Sequence, residues 1–298
     1  MRFSILLFVA LPLFAQVPEK APPSFTGQTG LFFTADARTI QQGSFTFGFS
    51  AANFDQLYPE APELRPVSDR PFRGFDVDRG EFRLFGAYGI TERWEISAAI
   101  PYIYYNQNIG DVAGFVEGLP RVGEFTDNGI GDLTVATKIR FIEREGVAAA
   151  GSLMAELPTG ETEGGIASGD SSYRAGIHLD VAALTLSAVY RHRGERRARD
   201  TPLGAPFDLA DEMRFDAALE YRHDSWTRSS IIAEVNGVIF SGGDRTADDA
   251  AYVTGGVRHH WGNSCWTTDA AVNYNVTMGF SDNPSHPWGG LFSISCRM

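Results

Sequence analysis

The chain has 298 residues, a formal net charge of −12, 43% hydrophobic residues, 32 glycines, 22 phenylalanines and 2 cysteines. That acidity excludes a nucleic-acid partner, which needs a clustered basic face to meet phosphates, and the cysteine spacing matches no zinc pattern, so neither a metal nor a cofactor is expected. Abundant glycines and aromatics favour strands joined by tight turns.

Taken in chain order, Arg2 is followed by an apolar run from Ile5 to Phe14 and then by Ala15. This reads as a cleaved signal peptide over residues 1–15, with the mature chain starting near Gln16. The run is too short to span a bilayer as a helix, and Pro12 interrupts it. Residues 16–42 form an N-terminal segment expected to lie in the periplasm or to plug a lumen, and residues 43–298 form the barrel. Beyond residue 16 no apolar stretch reaches helix-spanning length, so a membrane-inserted chain would have to cross as strands.

From about residue 80 onward apolar and polar residues alternate in runs of about ten, the period-2 signature of strands. Phe82, Leu84, Tyr88 and Ile90 oppose Glu81 and Arg83; Trp94, Ile96, Ala98 and Ile100 oppose Glu95 and Ser97. The pattern recurs with Leu133, Val135 and Ile139 against Asp132, Lys138 and Arg140, and with Tyr173, Ile177 and Leu179 against Arg174, His178 and Asp180. Phe215, Leu219 and Tyr221 likewise oppose Arg214, Asp216 and Glu220. The expected strands are 43–51, 80–90, 93–104, 130–142, 146–157, 171–181, 184–192, 212–222, 226–238, 250–259, 265–275 and 288–297. Their connections alternate long and short, as in bacterial outer-membrane barrels with short periplasmic turns and long extracellular loops. The fold class is therefore all-β: a transmembrane antiparallel β-barrel of about twelve strands in the outer membrane of a Gram-negative-type bacterium.

Aromatic placement agrees with that orientation. Tyr88, Trp94, Phe141, Tyr221, Trp226, Trp261 and Trp266 fall at the short-turn ends, and Tyr102, Tyr104, Tyr173, Tyr190, Tyr274 and Trp288 at the long-loop ends. Two such girdles are what amphipathic rings form at the two membrane interfaces.

The stretches YGITERWEISAAIPY (88–102), NGIGDLTVATKIRF (128–141) and ELPTGE (156–161) resemble motifs of outer-membrane transporters, in particular the family associated with the meta-pathway of phenol degradation and related uncharacterised barrels. The resemblance implies passive movement of small, often hydrophobic compounds across the outer membrane. One departure is the C-terminus, FSISCRM, which alternates but lacks the final aromatic that the assembly machinery reads in many such barrels.

The inward faces carry Glu81, Glu95, Asp132, Glu156, Asp180, Asp216, Glu220, Glu234 and Asp269 against Arg83, Lys138, Arg140, Arg174, Arg191, Arg214, Arg222, Arg228 and Arg258, with His178 among them. Balanced charge favours a cross-strand salt-bridge network over a charge-selective pore, which uses rings of one sign. A passive channel for a small-molecule solute is thus one reading. The alternative is a non-conducting structural or surface barrel whose long loops meet partners or lipopolysaccharide, with Arg191, Arg193, Arg196, Arg197 and Arg199 suited to phosphates. A hydrolase would need a serine beside His178 or His192, and no serine nucleophile motif is present. Cys265 and Cys296 are a candidate disulfide at the short-turn rim. Strand parity puts Cys265 inward and Cys296 outward, so a bridge needs a bulge or Cys265 in the turn.

Overall fold

The computed structural model describes residues 23–25, 27–58, 75–108, 125–160, 170–193, 195–196, 207–208, 211–223, 226, 228–242, 250–262, 264–276 and 288–298. The signal peptide over residues 1–15 lies outside them, as do Arg197 and Arg199.

Alternating side chains can be buried on one face only if the sheet has one, and here the sheet closes on itself. The strands are β1 (Phe45–Tyr58), β2 (Phe75–Thr91), β3 (Trp94–Asn108), β4 (Phe125–Ile130), β5 (Leu133–Arg144), β6 (Val147–Leu157), β7 (Ser172–Val181) and β8 (Leu184–His192). They continue with β9 (Glu195–Arg196), β10 (Phe207–Asp208), β11 (Asp211–Tyr221), β12 (Ser229–Ser241), β13 (Ala250–His260), β14 (Trp266–Asn275) and β15 (Trp288–Arg297). Each wall strand is antiparallel to its neighbours, and β1 pairs with both β2 and β15, while β2 pairs with β3, closing the ring. β4 and β5 share one crossing and β9–β10 pair only with each other, which makes a barrel of twelve crossings.

The outward faces form an apolar belt: Leu84, Leu153 and Ile177 are 60%, 62% and 65% exposed, as suits a surface solvated by hydrocarbon. All of the aromatics assigned to the two girdles are exposed. Several also satisfy their polar tip locally, Trp94 Nε1 donating to Thr137 Oγ1 at 2.7 Å and Trp261 Nε1 to Thr268 Oγ1 at 3.1 Å.

β4 and the short pair β9–β10 fall in stretches read as loops, and the barrel wall differs from expectation in three further places. β1, β2 and β3 run to 14, 17 and 15 residues, beyond the roughly 9–11 needed to cross a bilayer. Part of the stretch read as the loop 52–79 is therefore ladder, down to the pair Tyr58 and Phe75; a hairpin beyond the membrane is held by backbone bonds and needs no alternation. The strand expected over 130–142 is broken at Gly131–Asp132, because Pro101 of β3 has no N–H to donate to the ladder there; Gly131 N donates instead to Pro101 O at 2.8 Å. Finally, β12 begins at Ser229 and leaves Trp226 in the turn.

Cys265 precedes β14 and Cys296 lies in β15, and their sulfurs are joined, with Cα atoms 4.7 Å apart. Parity had put Cys265 inward, but it sits in the turn, where strand alternation no longer applies; Arg297 N donates to its carbonyl at 3.1 Å. Cys296 is covered by Phe47 and Trp266, which flank it in register and meet edge to face at 6.0 Å.

Candidate functional site

A barrel of this size is too wide for small wall side chains to fill it and too narrow to leave a broad aqueous pore. Here the interior is occupied by a segment of the same chain, residues 23–44, whose last residues, Gln41 to Ser44, leave it at the short-turn end. This segment has no regular strand; isolated bridges Pro23–Thr29 and Gly30–Ala35 fold it back on itself. Leu31 and Phe32 pack with Phe25 against Ala52, Ala218, Ile232, Ala271 and Leu291, which point inward from β1, β11, β12, β14 and β15. Burying each large side chain contributes about 2 kcal/mol.

The backbone of the segment meets the charged wall. Glu95 accepts from Thr29 N at 3.1 Å and Ile40 N at 2.9 Å, and from the Thr29 hydroxyl. Glu234 accepts from Phe32 N and Phe33 N at 2.7 and 3.0 Å, and Asp180 from Ala37 N at 3.1 Å. Cations take the carbonyls: Lys138 Nζ donates to Thr29 O and Asp36 O at 2.9 and 3.0 Å, Arg258 to Gly30 O at 3.3 Å, Arg214 to Phe33 O at 3.3 Å, and Arg83 to Phe25 O at 3.2 Å. The wall thus supplies the hydrogen-bond partners that an irregular segment cannot find in itself.

Ion pairs tie this network together. Lys138, wholly buried, lies 3.3 Å from Glu95 and 3.6 Å from Asp36. Arg258, also wholly buried, pairs with Asp269 at 2.9 Å and approaches Glu220 at 3.9 Å. Arg38 pairs with Asp36 and lies 3.8 Å from Glu220. Burial pushes the Asp36 carboxyl up, but the charges of Arg38 and Lys138 outweigh it and hold the group below the ordinary carboxylate range.

A second charged tier lies nearer the long-loop end. Arg174 and Arg191 both pair with Glu156, and Arg191 and Arg193 pair with Glu212 at 3.3 and 2.9 Å. None of these four ion pairs is made to segment 23–44. Arg214 and Asp216, paired at 2.6 Å, lie between the tiers, with Asn236 donating to Asp216 at 2.8 Å.

Four residues read as lumen-lining sit elsewhere, Arg222 and Arg228 of them in the turn between β11 and β12. Asp132 lies in the β4–β5 break, accepting from Gly160 N at 3.1 Å. Arg140 is at the short-turn rim, donating to Glu92 O at 2.7 Å and paired with Glu143 at 3.0 Å. Glu81 pairs with Arg83. His178 is buried between Ser152 and Ser187, with its ring nitrogens 2.8 and 3.0 Å from their hydroxyls. A serine thus does lie beside it, but the second nitrogen meets a hydroxyl where a hydrolytic triad has an orienting carboxylate. His192 pairs with Asp211 at 3.0 Å at the outer rim.

The residues that parity could not find are those of the segment itself: Thr29, Phe32, Asp36 and Arg38. Their run TGQTGLFFTADAR (26–38) has no strand or helix period, and its only signal is a cluster of polar residues around Leu31–Phe33.

No family model matches the chain, and no curated protein does. Among solved structures it resembles an outer-membrane channel from Pseudomonas putida, with a TM-score of 0.63 and 11% identity over 90% of this chain and all of the other. The NanC porin gives 0.47 at 11% identity over 83% of this chain and 97% of its own, and the CymD monoaromatic hydrocarbon channel 0.44 at 13% over 87% and 88%. The first likeness establishes a shared fold.

Proposed function

We propose that this protein is a passive channel for small molecules in the outer membrane of a Gram-negative-type bacterium. The observation that carries this reading is that the interior is filled by a separate, irregular segment, residues 23–44, held through hydrogen bonds to wall carboxylates and cations. The wall keeps a polar interior, and the obstruction can shift without unpicking the barrel. The shared fold with an outer-membrane channel supports the reading, and the motif resemblance implies small, often hydrophobic solutes. Outer-membrane lipid and lipopolysaccharide are the surroundings proposed for its belt and loops, and the barrel-assembly machinery its partner during insertion.

The same segment favours a second reading, a sealed barrel with a surface role. Deleting residues 17–42 separates them. Conductance in planar bilayers is expected to be low for the whole chain and to rise at least several-fold after deletion. A deletion variant that keeps its heat-dependent gel shift yet stays sealed would overturn the channel reading.

A further inference from the structure

At the short-turn end the wall strands are joined in pairs, β2 to β3, β5 to β6, β7 to β8, β11 to β12 and β13 to β14, which leaves β1 and β15 without a turn there. That end is also where the seam of the barrel begins. Phe45 N donates to Met298 O at 2.9 Å and Met298 N to Phe45 O at 2.8 Å, and the pairing runs from Thr46–Arg297 to Phe54–Gly289. The chain itself ties β15 to β14 only at the opposite end, through residues 276–287. A connection of that length does not set register, and a slip of one residue would turn every side chain of β15 to the wrong face.

The disulfide stands where the missing turn would be. Cys265 lies in the β13–β14 turn and Cys296 in β15 opposite Trp266, so the bond makes β13, β14 and β15 one covalently closed unit at the short-turn end. The bond does not cross the β1–β15 seam and can therefore form before the barrel closes. Closure, by contrast, hides it. Cys296 is 2% exposed, and one of the two residues flanking it in register is Phe47, which belongs to β1 and arrives only when the seam forms. A dissolved oxidant can reach the Cys296 sulfur before that step and not after it.

We propose that this bond is a staple made before closure: a disulfide-bearing oxidant joins Cys265 to Cys296 in the open chain, and the joined strands present β15 to β1 in a single register. The chemistry is thiol–disulfide exchange. The thiolate of one cysteine attacks a sulfur of the oxidant and expels the other sulfur as a thiolate, and the second cysteine then attacks the mixed disulfide. One S–S bond is formed in the protein and one is lost from the oxidant, which takes up two electrons and two protons as two thiols.

The test is folding of the urea-unfolded whole chain into phospholipid vesicles, followed by the heat-dependent gel shift, with the cysteines oxidised or kept reduced. The oxidised chain is expected to close at least about ten-fold faster, because the bond removes freedom from the open chain, while both forms unfold at the same rate. Equal folding rates, with faster unfolding of the reduced form, would assign the bond to the finished barrel and overturn the proposal. Glutathione disulfide added to the slowly folding reduced chain should restore the fast rate, and should do nothing for the Cys265→Ser, Cys296→Ser double variant. A reduced chain that is not rescued, or a variant that is, overturns it as well. The order of events is read from thiol trapping: reduced barrels that have already closed should be oxidised by glutathione disulfide at least about ten-fold more slowly than the open chain. Equal rates would show that closure does not shield the thiols and would remove the reason for oxidation to come first.

Discussion

Glu95 shows how much one side chain carries. It joins Thr29 and Ile40 of segment 23–44 to β3, accepts from three donors of that segment, and neutralises the wholly buried Lys138. Glu95→Gln keeps the shape but leaves Lys138 with Asp36 alone. Removing one partner of a buried pair costs about 3 kcal/mol, so the docked segment should be released about a hundred-fold more often. The check is single-channel recording, in which openings of the variant become correspondingly more frequent; an unchanged open fraction would refute the anchoring role. Gly89 acts at the same scale through what it lacks: a Cβ there would lie 2.3 Å from Gln41 O and 2.5 Å from Ile40 O, where the segment leaves the lumen against β2.

At the level of elements, the short turns set the register of each hairpin. The β7–β8 turn places Ala182 at φ 53°, the left-handed region that glycine adopts without penalty, and Ala182 N donates to Gly146 O at 2.7 Å across to the neighbouring turn. The glycine of that neighbouring turn, Gly146, has φ 72°. A non-glycine residue there costs about 1 kcal/mol, so Ala182→Gly is expected to stabilise the barrel by about 0.5–1 kcal/mol, read from the midpoint of urea unfolding. A lower midpoint would mean that the alanine methyl contributes packing worth more than the strain. Elements also show where local reading failed: Pro101 sits in a run that alternates cleanly, and nothing nearby in sequence says that its missing N–H falls opposite Gly131.

For the whole molecule, Asp36 gives docking of the segment a pH-dependent contribution of known sign. Asp36 has its carboxyl held below the ordinary range when docked, so it binds a proton less readily docked than released. The Asp36 contribution to docking is therefore fully present from neutrality down to the ordinary carboxylate value of about 3.9 and is lost as pH falls through the lower, docked value. It is expected to show as a rise in conductance in strong acid, below about pH 4, that Asp36→Asn lacks. A rise already near pH 6 would show that another group governs release.

The sequence by itself determined the number of crossings, the ends at which the girdle aromatics lie and most of the charged inward face, because period-2 alternation is a local property enforced by a surface with lipid on one side. Glu95, Lys138, Glu220 and Arg258 are recognisable from parity alone. Only the tertiary structure decided what those charges do. Glu95 and Thr29 are 66 residues apart and Glu234 and Phe32 are 202 apart, and an irregular segment leaves no periodic trace of its partners. Its conformation is set by donors and acceptors on many different strands, which come together only once the barrel has closed.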